Sequence, residues 1–161
     1  MKILFVCRSN AERSQVAQTL FNSRSTKNRA YSAGLALMDW EKGFPPGRIV
    51  TELMLGAGHE WFRSQRRKKL TEAMARRADM IIVIMGRNEA KKYVPEYLKK
   101  IGVSYWHIGG HKLPKEVFTN WPPPTYKYHV MWVSEIDWRV KELVRMIGSC
   151  AYGLGKGLSS R

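Results

Sequence analysis

Cysteine is scarce in this chain. Only Cys7 and Cys150 occur among 161 residues, at opposite ends, which excludes the disulfide framework that staples small secreted domains. With four histidines there is no paired His/Cys spacing of a structural zinc site, and His107 with His111 is too little to make one, so no metal is expected. Long apolar runs are lacking too. The longest, Met80 to Met85, falls far short of the roughly 20 residues that cross a bilayer. The apolar opening Ile3 to Val6 is soon broken by Arg8, whereas a secretory signal needs roughly 7 to 15 apolar residues. The expectation is a cytoplasmic protein with no membrane contact. No repeat or low-complexity block is visible, with 7 prolines and 13 glycines, which excludes a solenoid or a disordered body. Acidic residues are few, 13 against 28 lysines and arginines, for a net charge of +15. Such a field favours anionic partners, phosphorylated molecules and nucleic acid among them. The one dense basic run, Arg66-Arg67-Lys68-Lys69, is explained adequately by a solvated loop or helix end.

What is present is an alternation of strands and helices. Lys2 to Val6 reads as a buried strand, and Ser14 to Phe21 as a helix with Val16, Ala17, Leu20 and Phe21 on one face. Arg29 to Ala33 gives a second strand ending at Gly34, and Ile49 to Met54 a helix that Gly56 closes. Thr71 caps a short helix to about Arg77, Asp79 to Met85 is the clearest buried strand, and Pro95 interrupts the helical stretch after it. Val103 to Ile108 supplies a fourth strand. Ser134 starts a long last helix, with Asp137 completing a capping box and Ile136, Val140, Leu143, Val144 and Ile147 at core spacing. This order predicts an α/β domain over residues 1–150, a parallel sheet covered on both faces by helices. Residues 151–161, rich in Gly and Ser, read as a flexible tail. Ligands of such sheets bind beyond the carboxyl ends of the strands, where Cys7 falls.

The chemistry sits in Cys7-Arg8-Ser9-Asn10-Ala11-Glu12-Arg13-Ser14, directly after one strand and before one helix. A cysteine and an arginine six apart mean little alone; between strand and helix they mean much. A loop curling over a helix N-terminus aims backbone N–H groups at one point, and the helix dipole adds positive charge there. That point suits an oxyanion, bound by residues 8–14, and the same field favours a thiolate nucleophile. Arg13 supplies a planar fork for two phosphoryl oxygens, a geometry lysine lacks. Asn10 tolerates a left-handed conformation, and the hydroxyl of Ser14 can donate to the sulfur.

In these residues, and in Ser32-Ala33-Gly34, Pro45-Pro46, Leu70-Thr71 and Ala78 to Ile82, the chain resembles the low-molecular-weight protein-tyrosine phosphatases and the related thioredoxin-linked arsenate reductases. The resemblance implies a three-layer αβα sandwich with a four-stranded parallel sheet. It further implies a phosphotyrosine-type phosphomonoesterase that needs no cofactor and phosphorylates Cys7 transiently. Substrates would be phosphorylated proteins or small phosphomonoesters, with inorganic phosphate as product or inhibitor. Trp40 and Phe44 fall in the loop that borders the family's cleft and are candidates to hold an aryl ring. The family usually has glycine where Ser9 stands, and Glu12 adds a carboxylate beside the anion site.

One expected residue is missing. The family protonates the leaving oxygen with an aspartate set before a proline, between the fourth strand and the last helix. Matching Tyr105 to Ile108 to the strand end puts Gly110-His111 at that position, and matching Trp121 to Pro124 puts Pro123 there. Neither offers a carboxylate. The only aspartates are Asp39, Asp79 and Asp137; the last two read as strand-entry and helix-cap residues, and Asp39 lies in the cleft-border loop. His111, His107 and Glu116 are the substitute acids within reach. Two rival functions remain. Arg13-Ser14-Gln15 looks like the arsenate reductase loop ending, but that chemistry needs further thiols, and only Cys150 is offered. A nucleic-acid-binding module would draw on the charge and the six tryptophans, although Trp106, Trp132 and Trp138 read as core or half-buried.

Overall fold

A computed structural model describes residues 1–108 and 126–154, with the side chains of the last helix described as far as residue 148. Four strands form one parallel sheet in the order β2-β1-β3-β4: β1 (Lys2–Cys7), β2 (Arg29–Gly34), β3 (Met80–Ile84) and β4 (Ser104–Trp106). Successive residues of β1 point to opposite faces, and both faces are covered, which is why its apolar run is unbroken. Ile3 and Phe5 pack under α1 (Arg13–Arg24), α2 (Arg48–Gly56) and α6 (Tyr126–Leu154). Leu4 and Val6 pack with Ala75, Ala90 and Leu98 of α3 (Glu72–Arg76), α4 (Arg87–Tyr93) and α5 (Glu96–Ile101). The result is a single αβα sandwich, as expected. Phe5 anchors the first core, with the rings of Phe21 and Trp106 at 6.2 and 5.5 Å. Among the described residues, no helix is long and apolar enough to cross a membrane.

The strand order positions the site. From β1 the chain steps to one side to make β2, then crosses to the other side to make β3, so β1 is the switch point of the sheet. A crevice opens beyond its carboxyl end. Cys7, the last residue of β1, lies there.

Several local expectations need correcting. The last helix begins at Tyr126, about two turns before Ser134. Ser134 caps nothing: its hydroxyl donates to the Val130 carbonyl one turn back, a bond that lets serine sit inside a helix. Trp132 already belongs to the core, so helical burial starts upstream of the expected cap. Trp138 faces outward and is 60% exposed. Gly56 lies within α2; the turn that closes the helix uses Gly58 at φ +84°, where a side chain would be strained. The fourth strand is shorter than residues 103–108. Thr71 does cap α3, accepting from the Met74 amide.

Asp137 ties α6 to α1 through Arg24 and also binds Lys141 on its own helix. Burial pushes its carboxyl up, but Lys141 and Arg24 outweigh that and hold it below the usual carboxylate range. A depressed folded value stabilises the protein above the unfolded value and is lost as pH falls through the folded one. Asp137→Asn should therefore cost about 1 kcal/mol at neutral pH. In urea unfolding the gap from wild type should hold at pH values above the ordinary aspartate value of about 3.9 and shrink progressively as pH falls below it.

Candidate active site

Between Cys7 and Arg13 the backbone turns through a cup seated on the end of β2. The amides of Leu35 and Ala36 donate to the carbonyls of Cys7 and Arg8 at 3.0 and 2.8 Å, and those of Gly47 and Val16 to the carbonyls of Ala11 and Glu12 at 3.0 and 2.9 Å. These bonds fix the loop carbonyls from the residues that follow β2, from α1 and from the N-cap of α2. The seat is close. A Cβ on Gly34 would stand 2.8 Å from the Ser9 carbonyl carbon and 2.9 Å from the Asn10 nitrogen, so only glycine lets the loop lie there.

Asn10 is the one described non-glycine residue at positive φ, +50°, and is fully buried. Its amide group donates to Ser14 Oγ (2.9 Å) and Ser32 Oγ (3.0 Å), and its Oδ1 accepts from the Lys68 amide (2.8 Å). Ser32 in turn donates to Gln18 Oε1 at 2.7 Å. Ser14 Oγ accepts from Asn10 and stands 3.0 Å from Cys7 Sγ, so its hydroxyl can donate to the sulfur when the sulfur is ionised. Cys7 is a free thiol at the floor of the cup.

Arg13 closes the rim with its side chain 12% exposed. Its Nη1 and Nη2 donate to the two oxygens of Glu89 at 2.8 and 3.1 Å, and Nη1 also donates to the Ile108 carbonyl at 2.9 Å. Burial works against the Arg13 charge, but Glu89 and the Cys7 sulfur more than offset it. Burial likewise pushes Glu89 up, and the hydrogen bonds and charge of Arg13 bring it below its ordinary value.

The cup opens into a cleft of about 560 Å³ bordered by Cys7, Arg13, Ala36, Trp40, Glu41 and Glu89. Trp40, 67% exposed, forms one lip, with the Phe44 ring edge-on at 5.8 Å. On another side the Arg8 guanidinium lies over the Tyr93 ring at 4.8 Å, with Lys92 on the same ring at 5.2 Å. Glu12 also borders the cleft, yet its carboxylate is turned onto Gly47, the N-cap of α2, where a Cβ would meet Oε1 at 2.4 Å. His129 Nε2 stands 3.6 Å from the same oxygen. Glu41 pairs with Arg67 and accepts from the Met38 amide. Asp39 is exposed and held below the ordinary carboxylate range by hydrogen bonding and charge from Lys42, then Lys69.

The structure thus gathers Cys7, Arg8, Ser9, Ala11, Glu12, Arg13 and Trp40 around one cavity, whereas Asn10 and Ser14 are buried behind the loop and Phe44 stands behind Trp40, none of the three lining it. Of the substitute acids, His107 follows β4 with its ring stacked on Tyr105; His111 and Glu116 lie outside the described residues, as do Gly110, Pro123 and the side chain of Cys150. Sequence reasoning missed Glu89. Its only signal was a carboxylate in the first turn of the helix after β3, at the same end of the sheet as Cys7.

Residues 2–105 match the family model described as low molecular weight phosphotyrosine protein phosphatase. No curated protein matches the chain in sequence. Among solved structures, a low molecular weight protein tyrosine phosphatase from T. tengcongensis is 24% identical with a TM-score of 0.66, covering 91% of this chain and 99% of that one. YwlE arginine phosphatase from Geobacillus stearothermophilus is 17% identical with a TM-score of 0.69, over 92% and 93%. An arsenate reductase from Archaeoglobus fulgidus is 23% identical with a TM-score of 0.61, over 88% and 98%. At these identities the likeness is one of fold.

Asn10→Ala removes three hydrogen bonds from buried partners and leaves an alanine in left-handed backbone. It should cost about 2 to 4 kcal/mol in denaturant unfolding. Gly34→Ala should displace the loop backbone instead, and isothermal titration with vanadate should show affinity reduced at least about tenfold.

Proposed function

Because the chain belongs to the low molecular weight phosphotyrosine protein phosphatase family, we propose that it hydrolyses aryl phosphomonoesters of the phosphotyrosine type through a phosphocysteine on Cys7. The observation that carries this reading is the placement of Cys7 Sγ 3.0 Å from Ser14 Oγ, with Arg13 at the rim of the same cleft. In the first step the sulfur attacks phosphorus and the ester P–O bond breaks, its electron pair leaving with the aryl oxygen. Loop amides and the arginine fork hold the equatorial oxygens as charge builds on them. In the second step a water oxygen attacks phosphorus, the P–S bond breaks with its electron pair left on sulfur, and inorganic phosphate departs carrying both water protons. Ser14 stabilises the sulfur anion that leaves.

The leaving oxygen determines the substrate class. Of the described carboxylates that border the cleft, Glu41 is paired with Arg67 and Glu89 with Arg13, while Glu12 is turned toward Gly47 with His129 Nε2 3.6 Å away. His107, His111 and Glu116 stay as the candidate donors on sequence grounds. Without strong acid help, worth about 10² to 10⁴ in rate, phenolic leaving groups react and alkyl ones lag. The exposed ring of Trp40, backed by Phe44, suits an aryl substrate, and the Arg8–Tyr93–Lys92 lip suits acidic neighbours of the phosphorylated residue. A nucleophilic thiol must stay reduced, which fits action in the cytoplasm.

Cys7-dependent hydrolysis of p-nitrophenyl phosphate is expected between pH 5 and 7 and absent in Cys7→Ser. Phosphotyrosine should exceed phosphoserine in kcat/KM by about 10² or more, and rates over a series of aryl phosphates should fall steeply as the phenol becomes less acidic. Equal rates in wild type and Cys7→Ser would sink the reading. Loss of free thiols on arsenate treatment would replace it with the reductase.

A further inference from the structure

We infer that Glu89 is a positioning residue that turns one edge of Arg13 toward the phosphoryl group, an inference resting on the phosphatase reading of the loop. A guanidinium has five N–H donors in a rigid plane. Both hydrogens of Nη1 are taken, one by Glu89 Oε2 and one by the Ile108 carbonyl, and one hydrogen of Nη2 goes to Glu89 Oε1. Since one carboxylate engages both terminal nitrogens end-on, the Nη2 hydrogen it uses points toward Nη1. The other Nη2 hydrogen therefore lies beside Nε–H, on the edge away from Ile108. Those two parallel donors are the fork that matches two phosphoryl oxygens.

Glu89 can hold this orientation because it is itself fixed. Its Oε2 also accepts from the Gly86 amide at 3.2 Å, in the first turn of α4, where the helix dipole favours a carboxylate. The arginine is thus aimed from β3–α4 on one side and by the carbonyl that follows β4 on the other, while its own backbone starts α1. A freely rotating arginine would have to order its side chain each time a substrate arrived; this one has already lost that freedom.

The same contacts would arise if Glu89 were a latch that competes with the anion for Arg13. The two roles have opposite signs. Under the positioning role, Glu89→Gln keeps one acceptor, loses the two-oxygen clamp, and places an amide N–H against Arg13. Isothermal titration with inorganic phosphate should then show affinity reduced about tenfold, and kcat for p-nitrophenyl phosphate should fall roughly 10- to 100-fold, by more than KM rises. The melting temperature should stay within a few degrees. Phosphate affinity that is unchanged or improved in Glu89→Gln overturns the inference. A double-mutant cycle guards against a misfolded variant: in an Arg13→Lys background, Glu89→Gln should add little, and an undiminished further loss would mean that Glu89 does not act through Arg13. Wild type that hydrolyses p-nitrophenyl phosphate while Glu89→Gln matches it sinks the positioning role alone. Wild type inert to both ester and phosphate sinks the loop reading and this inference with it.

Discussion

Asn10 holds together the end of the molecule where β1 runs into the Cys7–Ser14 loop. Its backbone adopts a conformation that L-residues avoid, and its side chain spends both amide hydrogens and its oxygen on three different segments: Ser14 at the start of α1, Ser32 in β2 and the Lys68 amide. Each bond alone is worth about 1 kcal/mol, so none would overcome a left-handed residue and a tight turn with comfort. Together they do, because they are buried and share one side chain. The hub also places the Ser14 hydroxyl within reach of the sulfur, since Asn10 holds its oxygen from the other side.

The charge pattern around the cup follows a second constraint. A chain with a net charge of +15 has cations to spend, yet within the cleft they are spent largely on carboxylates. Arg13 meets Glu89 and Arg67 meets Glu41, both pairs mostly shielded from water. Such pairs hold direction better than they add stability, because the cost of desolvating both partners nearly cancels their attraction. The lip cation Arg8 is different: it rests on an aromatic ring instead of a carboxylate, and so leaves its charge available to an arriving anion.

The fold was legible from the sequence where burial was two-sided. β1 and β3 announce themselves as unbroken apolar runs because both faces of the sheet are covered, and the Cys7–Ser14 loop is legible because strand, loop and helix follow one another without a gap. Asn10 and Ser14 could be given roles from local chemistry alone. What escaped depended on tertiary neighbours. Ser134 looks like a cap until Val130 supplies an acceptor one turn back; Trp138 looks like core until its neighbours Asp137 and Trp132 are seen to take the inward contacts of that helix. Glu89 sits 76 residues from Arg13, and Glu12 faces Gly47, which only the placing of α2 brings beside it.

The missing side chain at Gly34 has a consequence for how this region breathes. Where a Cβ would have held two layers apart, the end of β2 and the Cys7–Arg13 loop are in backbone contact and are laced by amides on either side. Opening one means opening the other. An edge strand would ordinarily fray early; here the fraying of β2 is coupled to opening of the Cys7–Arg13 loop, so edge strand and loop belong to one cooperative unit in local unfolding.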